Sequence, residues 1–304
     1  MSKLTDSNSE SLATERLDER YGQIEKLTTN SLVHLMNQAD AEVSLAVAKQ
    51  QSEIAAAIED ISERFKNDGN IYYVGAGTSG RLATLDASEV YPTFGIQGRV
   101  TAIMAGGKPA LVDAIEGAED DYDAGRTAVL EHSICAHDVV VGLASSGSTP
   151  FVMAALQTAK EVGALTVSIS CNPNSKMSEL ADHPIEVVVG PEVIAGSTRL
   201  KAGTAQKMVL NMISTITMVR AGKTYGNLMV DVVASNTKLR KRALVMLQAI
   251  TDVDAAAAQE MLEAHNWNVK SSVLGIKLGL EPAAAARLLE ESGGFLSVAL
   301  GESN

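Results

Sequence analysis

Two short segments of this chain combine glycine with hydroxyl side chains in a way that suits anion binding. Residues 75–81 read GAGTSGR, and residues 145–150 read SSGSTP. Each segment follows an apolar run and precedes a helical pattern, so each leaves free N–H groups at a helix N-terminus. Such a terminus, with hydroxyl groups beside it, binds a compact anion such as a phosphate monoester. The candidate ligands are Thr78, Ser79, Gly80, Ser145, Ser146, Ser148 and Thr149.

Two other interpretations of these loops are weaker. The first loop matches the Gly-x-Gly-x-x-Gly pattern of dinucleotide sites, but such sites also need an acidic residue about 20 positions later to hold the ribose. Here the next apolar run ends in Ala105-Gly106-Gly107, without an acid. Serine and threonine also cap helices that bind nothing, but two hydroxyl-rich loops favour a ligand over capping alone.

Two groups of carboxylates are candidates for acid–base chemistry. Glu89 lies ten residues after Ser79, near the predicted end of a helix, where the helix dipole disfavours an anion and suits a proton donor. Residues 116–123 carry five acidic side chains, and Glu116 and Glu119 would share a face if this segment were helical. Acidic runs are also typical of solvated surface, so the residues alone leave both roles open.

A third polar junction, at residues 196–207, precedes a long helical pattern. Ser197 is predicted to cap that helix, and Lys201, with Arg199, offers positive charge to an anionic substrate. His132, Cys135 and His137 lie close together but lack the spacing of a metal site. The residues therefore predict no metal.

The rest of the pattern predicts the elements that position these loops. Apolar runs at 71–75, 99–107, 138–147, 164–172 and 184–190 alternate with helical segments at 79–90, 108–115, 121–131, 150–163 and 197–221. This alternation is typical of a doubly wound parallel sheet, which binds ligands beyond the carboxyl ends of its strands. A polar arm up to about Thr14 and two helices broken near Asp40 precede the sheet. Four short helices follow it, at 239–250, 254–264, 269–278 and 281–291.

Composition limits the class of protein. The 304 residues include 25 Lys+Arg and 37 Asp+Glu, a net charge of −12, which argues against a nucleic-acid partner. Two cysteines suggest a reducing compartment, and neither a signal peptide nor a membrane-spanning segment is apparent. We expect a cytoplasmic protein with two domains, 1–238 and 239–304.

Five segments in matching order resemble the N-acetylmuramic acid 6-phosphate etherases, a family of sugar-isomerase-type (SIS) proteins related to the glucokinase regulatory protein. They are GAGTSGRLATLDASE (75–89), AIEGAEDD (114–121), GLASSGSTPFV (142–152), GSTRLKAGTAQKMVLNM (196–212) and GNLMVDVVASNTKL (226–239). The sequence departs from the family at Val90-Tyr91, where Cys-Pro is common, and at Ser148, where Arg is common. Both departures bear on substrate preference.

The resemblance implies an α/β fold of the flavodoxin-like, three-layer type, with N-terminal helices and a small UBA-like helical domain at the C-terminus. It implies a homodimer, with the active site near the subunit interface, that needs no metal or nucleotide cofactor. The implied reaction is cleavage of the D-lactyl ether of N-acetylmuramic acid 6-phosphate. Glu89 matches the family's proton donor, and Glu119 matches its second active-site carboxylate.

The chemistry favours elimination of lactate followed by addition of water, because the C2 proton of the open-chain sugar is acidified by the C1 aldehyde. Glu119 or, less favoured, Glu116 would remove that proton, while Glu89 protonates lactate and later activates water; loop N–H groups or Lys201 would stabilise the enolate. Two alternatives stay open: a hexose-phosphate aldose–ketose isomerase, and a non-catalytic regulator that senses a sugar phosphate.

Overall fold

A computed structural model describes residues 12–302 and contains the predicted parallel sheet. Its strands are β1 (Ile71–Gly75), β2 (Val100–Met104), β3 (Val139–Leu143), β4 (Leu165–Ser170) and β5 (His183–Glu186). All neighbours are parallel, in the order β2-β1-β3-β4-β5. This is the flavodoxin-like order, in which the chain reverses direction across the sheet between β1 and β3 and leaves a crevice at their carboxyl ends. The predicted fold class is confirmed.

Helices connect and precede the strands. They are α1 (Thr29–Ala48), α2 (Gln51–Lys66), α3 (Gly77–Phe94), α4 (Tyr122–Glu131), α5 (Pro150–Glu161) and α6 (Lys201–Arg220). The predicted break near Asp40 is wrong. Asp40 is exposed, while Ala39 and Val43 beside it are buried, so α1 continues through this region and ends at Ala48. The predicted helix at 108–115 shortens to a 3-10 turn over Lys108–Leu111.

The C-terminal helices are α7 (Thr237–Thr251), α8 (Ala255–Ala264), α9 (Val269–Leu278), α10 (Pro282–Glu291) and the unpredicted α11 (Leu296–Ala299). They enclose an apolar cluster that includes Leu247, Leu262 and Val273. A second cluster lies beneath α5, where Val140 and Leu156 are fully buried. No helix of the described chain is both long and apolar enough to span a membrane.

The chain divides into two compact units. One comprises the described residues up to Ala87 together with Arg99–Ser214, and it contains the sheet; the other comprises Ser88–Gly98 and the chain from Thr215 onward. These units describe packing, so the predicted domain boundary at residue 238 stays a prediction. The predicted polar arm lies, up to residue 11, outside the described residues.

Candidate active site

A cavity of about 390 Å³ lies at the carboxyl ends of β1 and β3 and contains both hydroxyl loops. Its lining includes three carboxylates and, within the described chain, no Lys, Arg or His. The lining residues are Thr14, Glu15, Ala76, Gly77, Thr78, Ser79, Glu119, Asp120, Leu143, Ala144, Ser145, Ser146, Ser148, Thr149, Pro150 and Thr198. The structure thus brings Glu119 together with six of the predicted phosphate ligands.

Glycine brings the N-terminus of α3 against the end of β1. A Cβ atom built on Gly75 would lie 2.7 Å from the nitrogen of Gly80, and one built on Gly80 would lie 2.7 Å from the oxygen of Gly75. Gly80 does not line the cavity; its lack of a side chain lets α3 approach β1 closely. This close contact directs the free N–H groups of the first turn of α3 into the crevice, where they can bind an anion.

The second hydroxyl loop is held in place by hydrogen bonds from the segment that follows β4. The Ser145 carbonyl accepts hydrogen bonds from the Asn172 Nδ2 (2.8 Å) and from the Cys171 N–H (3.0 Å). Gly147 has a φ of +72° and contacts Ser175 so closely that no side chain would fit there. α5 then begins at Pro150, at a position that needs no N–H donor. The loop is consequently held in one conformation before any ligand arrives.

Gln206 on α6 links the two loops, although no motif or spacing in the sequence singles it out. This side chain is fully buried. It accepts a hydrogen bond from the Ser79 hydroxyl at 2.8 Å and donates one to the Ser145 hydroxyl at 3.4 Å. α6 is further attached to α3 by an ion pair of 2.9 Å between Lys207 and Asp86. The relative position of the two anion-binding loops thus depends on α6.

Glu119 reaches the cavity because the segment between β2 and α4 is tied to α3. The guanidinium of Arg81 donates hydrogen bonds of 3.1 Å to the carbonyls of Leu111 and Asp113. The chain then forms a 3-10 turn, Ala118–Asp120, which places Glu119 and Asp120 on the cavity wall. Glu116 precedes this turn, is exposed and does not line the cavity.

Glu89 lies apart from this lining. It follows Ser79 by almost three turns of α3, and its side chain is exposed. Glu89 belongs to the second compact unit, whereas the cavity belongs wholly to the first. Its predicted role as proton donor stays a prediction.

The structure corrects the predicted roles of Ser197 and Lys201. α6 begins at Lys201 rather than near Ser197, and it is capped by Glu192, whose carboxylate accepts from the N–H groups of Lys201 and Ala202 at 2.9 Å each. Burial raises the pKa of Glu192. The Lys201 side chain is 1% exposed, donates to the carbonyl of Val189 at 2.8 Å and forms an ion pair of 3.5 Å with Glu42. It does not line the cavity.

The cavity has one wall that the sequence did not predict. A 3-10 turn, Ala13–Glu15, belongs to the segment interpreted as an arm, yet Thr14 and Glu15 line the cavity. No group of three or more His, Cys, Asp or Glu residues has metal-binding geometry within residues 12–302.

Comparison with known families supports the fold. Residues 53–160 match the glucokinase regulatory protein N-terminal SIS domain, residues 129–216 match the SIS domain, and residues 243–273 match a UBA-like domain. A phosphoheptose isomerase from Francisella tularensis superposes with a TM-score of 0.51 at 15% identity, covering 64% of this chain and 100% of that one. This likeness shows the fold alone.

Relatives of similar length are closer in sequence. An N-acetylmuramic acid 6-phosphate etherase from Rubrobacter xylanophilus is 49% identical over 292 residues, 96% of each chain. One from Clostridioides difficile is 46% identical over the same length and coverage. One from Streptomyces coelicolor is 48% identical over 295 residues, 97% of this chain and 95% of that one.

Proposed function

The chain belongs to the family of N-acetylmuramic acid 6-phosphate etherases, and from this premise we propose how it acts. It cleaves the D-lactyl ether of N-acetylmuramic acid 6-phosphate to N-acetylglucosamine 6-phosphate and D-lactate, in the recycling of cell-wall amino sugars. One observation ties this reaction to the geometry: Glu119 lies in the same cavity as two hydroxyl loops at the switch point of the sheet.

We propose that the phosphoryl group of the substrate binds between the two loops. The donors are the free N–H groups at the start of α3 and α5 and the hydroxyls of Thr78, Ser146, Ser148 and Thr149. The Ser79 hydroxyl already donates to Gln206, so that residue contributes chiefly its N–H. Because the described lining holds no cation, binding relies on dipoles rather than on ion pairs.

The sugar then reacts in its open-chain form. Glu119 takes the C2 proton, which the C1 aldehyde acidifies, and the resulting electron pair forms the C2–C3 double bond as the C3–O bond to lactate breaks. Glu89 gives its proton to the departing lactate oxygen. Water next adds, its hydroxyl going to C3 and a proton returning to C2, so that the net change is one ether plus water to two alcohols. Each carboxyl group contributes about 100- to 10,000-fold to the rate.

We further propose that the protein acts in the cytoplasm as a homodimer. The family resemblance supports this assembly, in which the active site lies near the subunit interface. Such an interface would exclude water from the sugar, which strengthens the electrostatic contribution of both carboxylates.

Turnover of N-acetylmuramic acid 6-phosphate in D2O tests the proposal. Release of D-lactate with one deuterium at C2 of the product is the expected result, whereas lactate without deuterium at C2 would contradict elimination. An isomerase of hexose phosphates would release no lactate at all. Glu119→Gln is expected to lose lactate release by at least about 100-fold while still binding N-acetylglucosamine 6-phosphate, and Glu116→Gln serves as the neighbouring control.

A further inference from the structure

The segment that contains Thr14 is held beside the cavity by hydrogen bonds to Asn172 and Gly196. Thr14 is 1% exposed, its N–H donates to the Asn172 Oδ1 at 3.4 Å, and its hydroxyl accepts from the Asn172 Nδ2 at 3.2 Å. The Thr14 carbonyl accepts from the Gly196 N–H at 3.3 Å. Since the same Asn172 Nδ2 also donates to the carbonyl of Ser145, this segment and the second anion-binding loop share one anchor.

Glu15 follows this anchored residue and presents a free carboxylate to the cavity. The carboxylate lies over Gly196, where a Cβ atom would come within 2.7 Å of Oε2. No hydrogen-bond donor or cation from residues 12–302 contacts the Glu15 side chain, although its backbone is held in place. Within the described chain, both oxygens are therefore left to accept hydrogen bonds from a ligand.

The chemistry of the cavity restricts what this carboxylate can recognise. A carboxylate only accepts hydrogen bonds, and it repels a phosphoryl group. The donors that a hexosamine 6-phosphate retains are its hydroxyl groups and its acetamido N–H. Charge-assisted hydrogen bonds to such donors are stronger than neutral ones and depend strongly on geometry.

We propose that Glu15 is a specificity-determining residue that accepts hydrogen bonds from hydroxyl or amide N–H donors of the sugar. This inference rests on the proposed function and deepens it: the two loops recognise the phosphoryl group, whereas Glu15 recognises the sugar that carries it. Glu119 and Glu89, rather than Glu15, act on the reacting atoms in this proposal.

The test compares two probes, inorganic phosphate and N-acetylglucosamine 6-phosphate, by calorimetry on the full chain. Glu15→Ala is expected to weaken binding of the sugar phosphate by about 10- to 100-fold while leaving the phosphate Kd unchanged or slightly lower. Glu15→Gln, which keeps one acceptor oxygen, should show a smaller loss. Glu19→Ala, on the next 3-10 turn and outside the cavity lining, is the matched control and should change neither constant.

A second variant separates contact with the sugar from general damage. Thr14→Val removes the hydrogen bond between the Thr14 hydroxyl and Asn172, so it should also weaken binding of the sugar phosphate. The double variant Thr14→Val/Glu15→Ala should bind the sugar phosphate no more weakly than Glu15→Ala alone. Two results would overturn the inference about Glu15 without touching the proposed function. One is that Glu15→Ala loses phosphate affinity in parallel with sugar-phosphate affinity; the other is that Glu15→Ala binds the sugar phosphate as tightly as the unchanged chain. An unchanged chain that binds phosphate but not the sugar phosphate would overturn the proposed function as well.

Discussion

Replacing Gln206 with leucine would remove the link between the two anion-binding loops with little change in side-chain volume. Gln206 accepts from Ser79 at 2.8 Å and donates to Ser145 at 3.4 Å, and it is fully buried. After the substitution, the hydroxyls of both loops lose the partner that orients them. We therefore expect two separable effects, one on folding stability and one on ligand binding.

The size of each effect follows from the contacts. Ser79 is 6% exposed, so leaving its hydroxyl without an acceptor costs about 1–2 kcal/mol. The longer bond to Ser145 adds only a few tenths of a kcal/mol. For a chain of this size the sum corresponds to a decrease in Tm of about 2–5 °C. Loss of loop orientation should weaken phosphate binding by about 5- to 10-fold, since about 1.4 kcal/mol corresponds to a factor of ten.

Thermal unfolding and calorimetric titration with inorganic phosphate measure the two effects on the same Gln206→Leu sample. Gln248→Leu is the matched control, because Gln248 on α7 makes one hydrogen bond of 3.4 Å to the Val253 carbonyl, away from the cavity. That control should leave phosphate binding unchanged. A Gln206→Leu protein with the expected decrease in Tm but a phosphate Kd within twofold of the unchanged chain would refute the idea that Gln206 orients the loops.

Three further predictions concern other parts of the chain. Mixing inactive Glu89→Gln and Glu119→Gln subunits should restore about a quarter of full activity if the two carboxylates of one site come from different subunits; no recovery would place both in one subunit. Lys270→Met should lower the free energy of unfolding in denaturant by about 2–4 kcal/mol, because buried Lys270 donates to two carbonyls and an aspartate. Lys277 is exposed on the same helix, so Lys277→Met should change that free energy by less than about 0.5 kcal/mol. The pKa of Glu192 is raised by burial, so its ionisation reduces stability as pH rises above the ordinary carboxyl range. The Tm of Glu192→Gln relative to that of the unchanged chain should therefore increase as pH rises above that range and level off once Glu192 is ionised in the folded protein; a constant difference would contradict this.

Local patterns were sufficient to predict the sheet and its loops. β1 and β3 are short apolar runs, and a strand buried on both faces leaves that signature in any sequence context. The two hydroxyl loops follow from the same reasoning, because they come directly after β1 and β3. Glu119 was found through its acidic segment, and its position on the cavity wall needed the structure.

Contacts between distant segments could not be predicted in this way. Lys201 was predicted to bind an anion, but its ammonium group donates to the carbonyl of Val189 and pairs with Glu42. Thr14 meets Asn172 across a separation of 158 residues. Gln206 meets Ser79 across 127. Polar side chains in these pairs have no periodicity, so a single sequence does not distinguish them from solvated residues.

The contact between Gly75 and Gly80 limits how this enzyme can be redirected to other substrates. Neither position tolerates even a methyl group without moving the main chain, so a substitution there would displace the N–H groups that we propose bind the phosphoryl group. A new substrate preference is better sought in two segments that line the cavity outside the anion-binding loops, Thr14–Glu15 and Ala118–Asp120. A library aimed at other phosphorylated sugars should keep both glycines and Glu119, and vary Thr14, Glu15, Ala118 and Asp120.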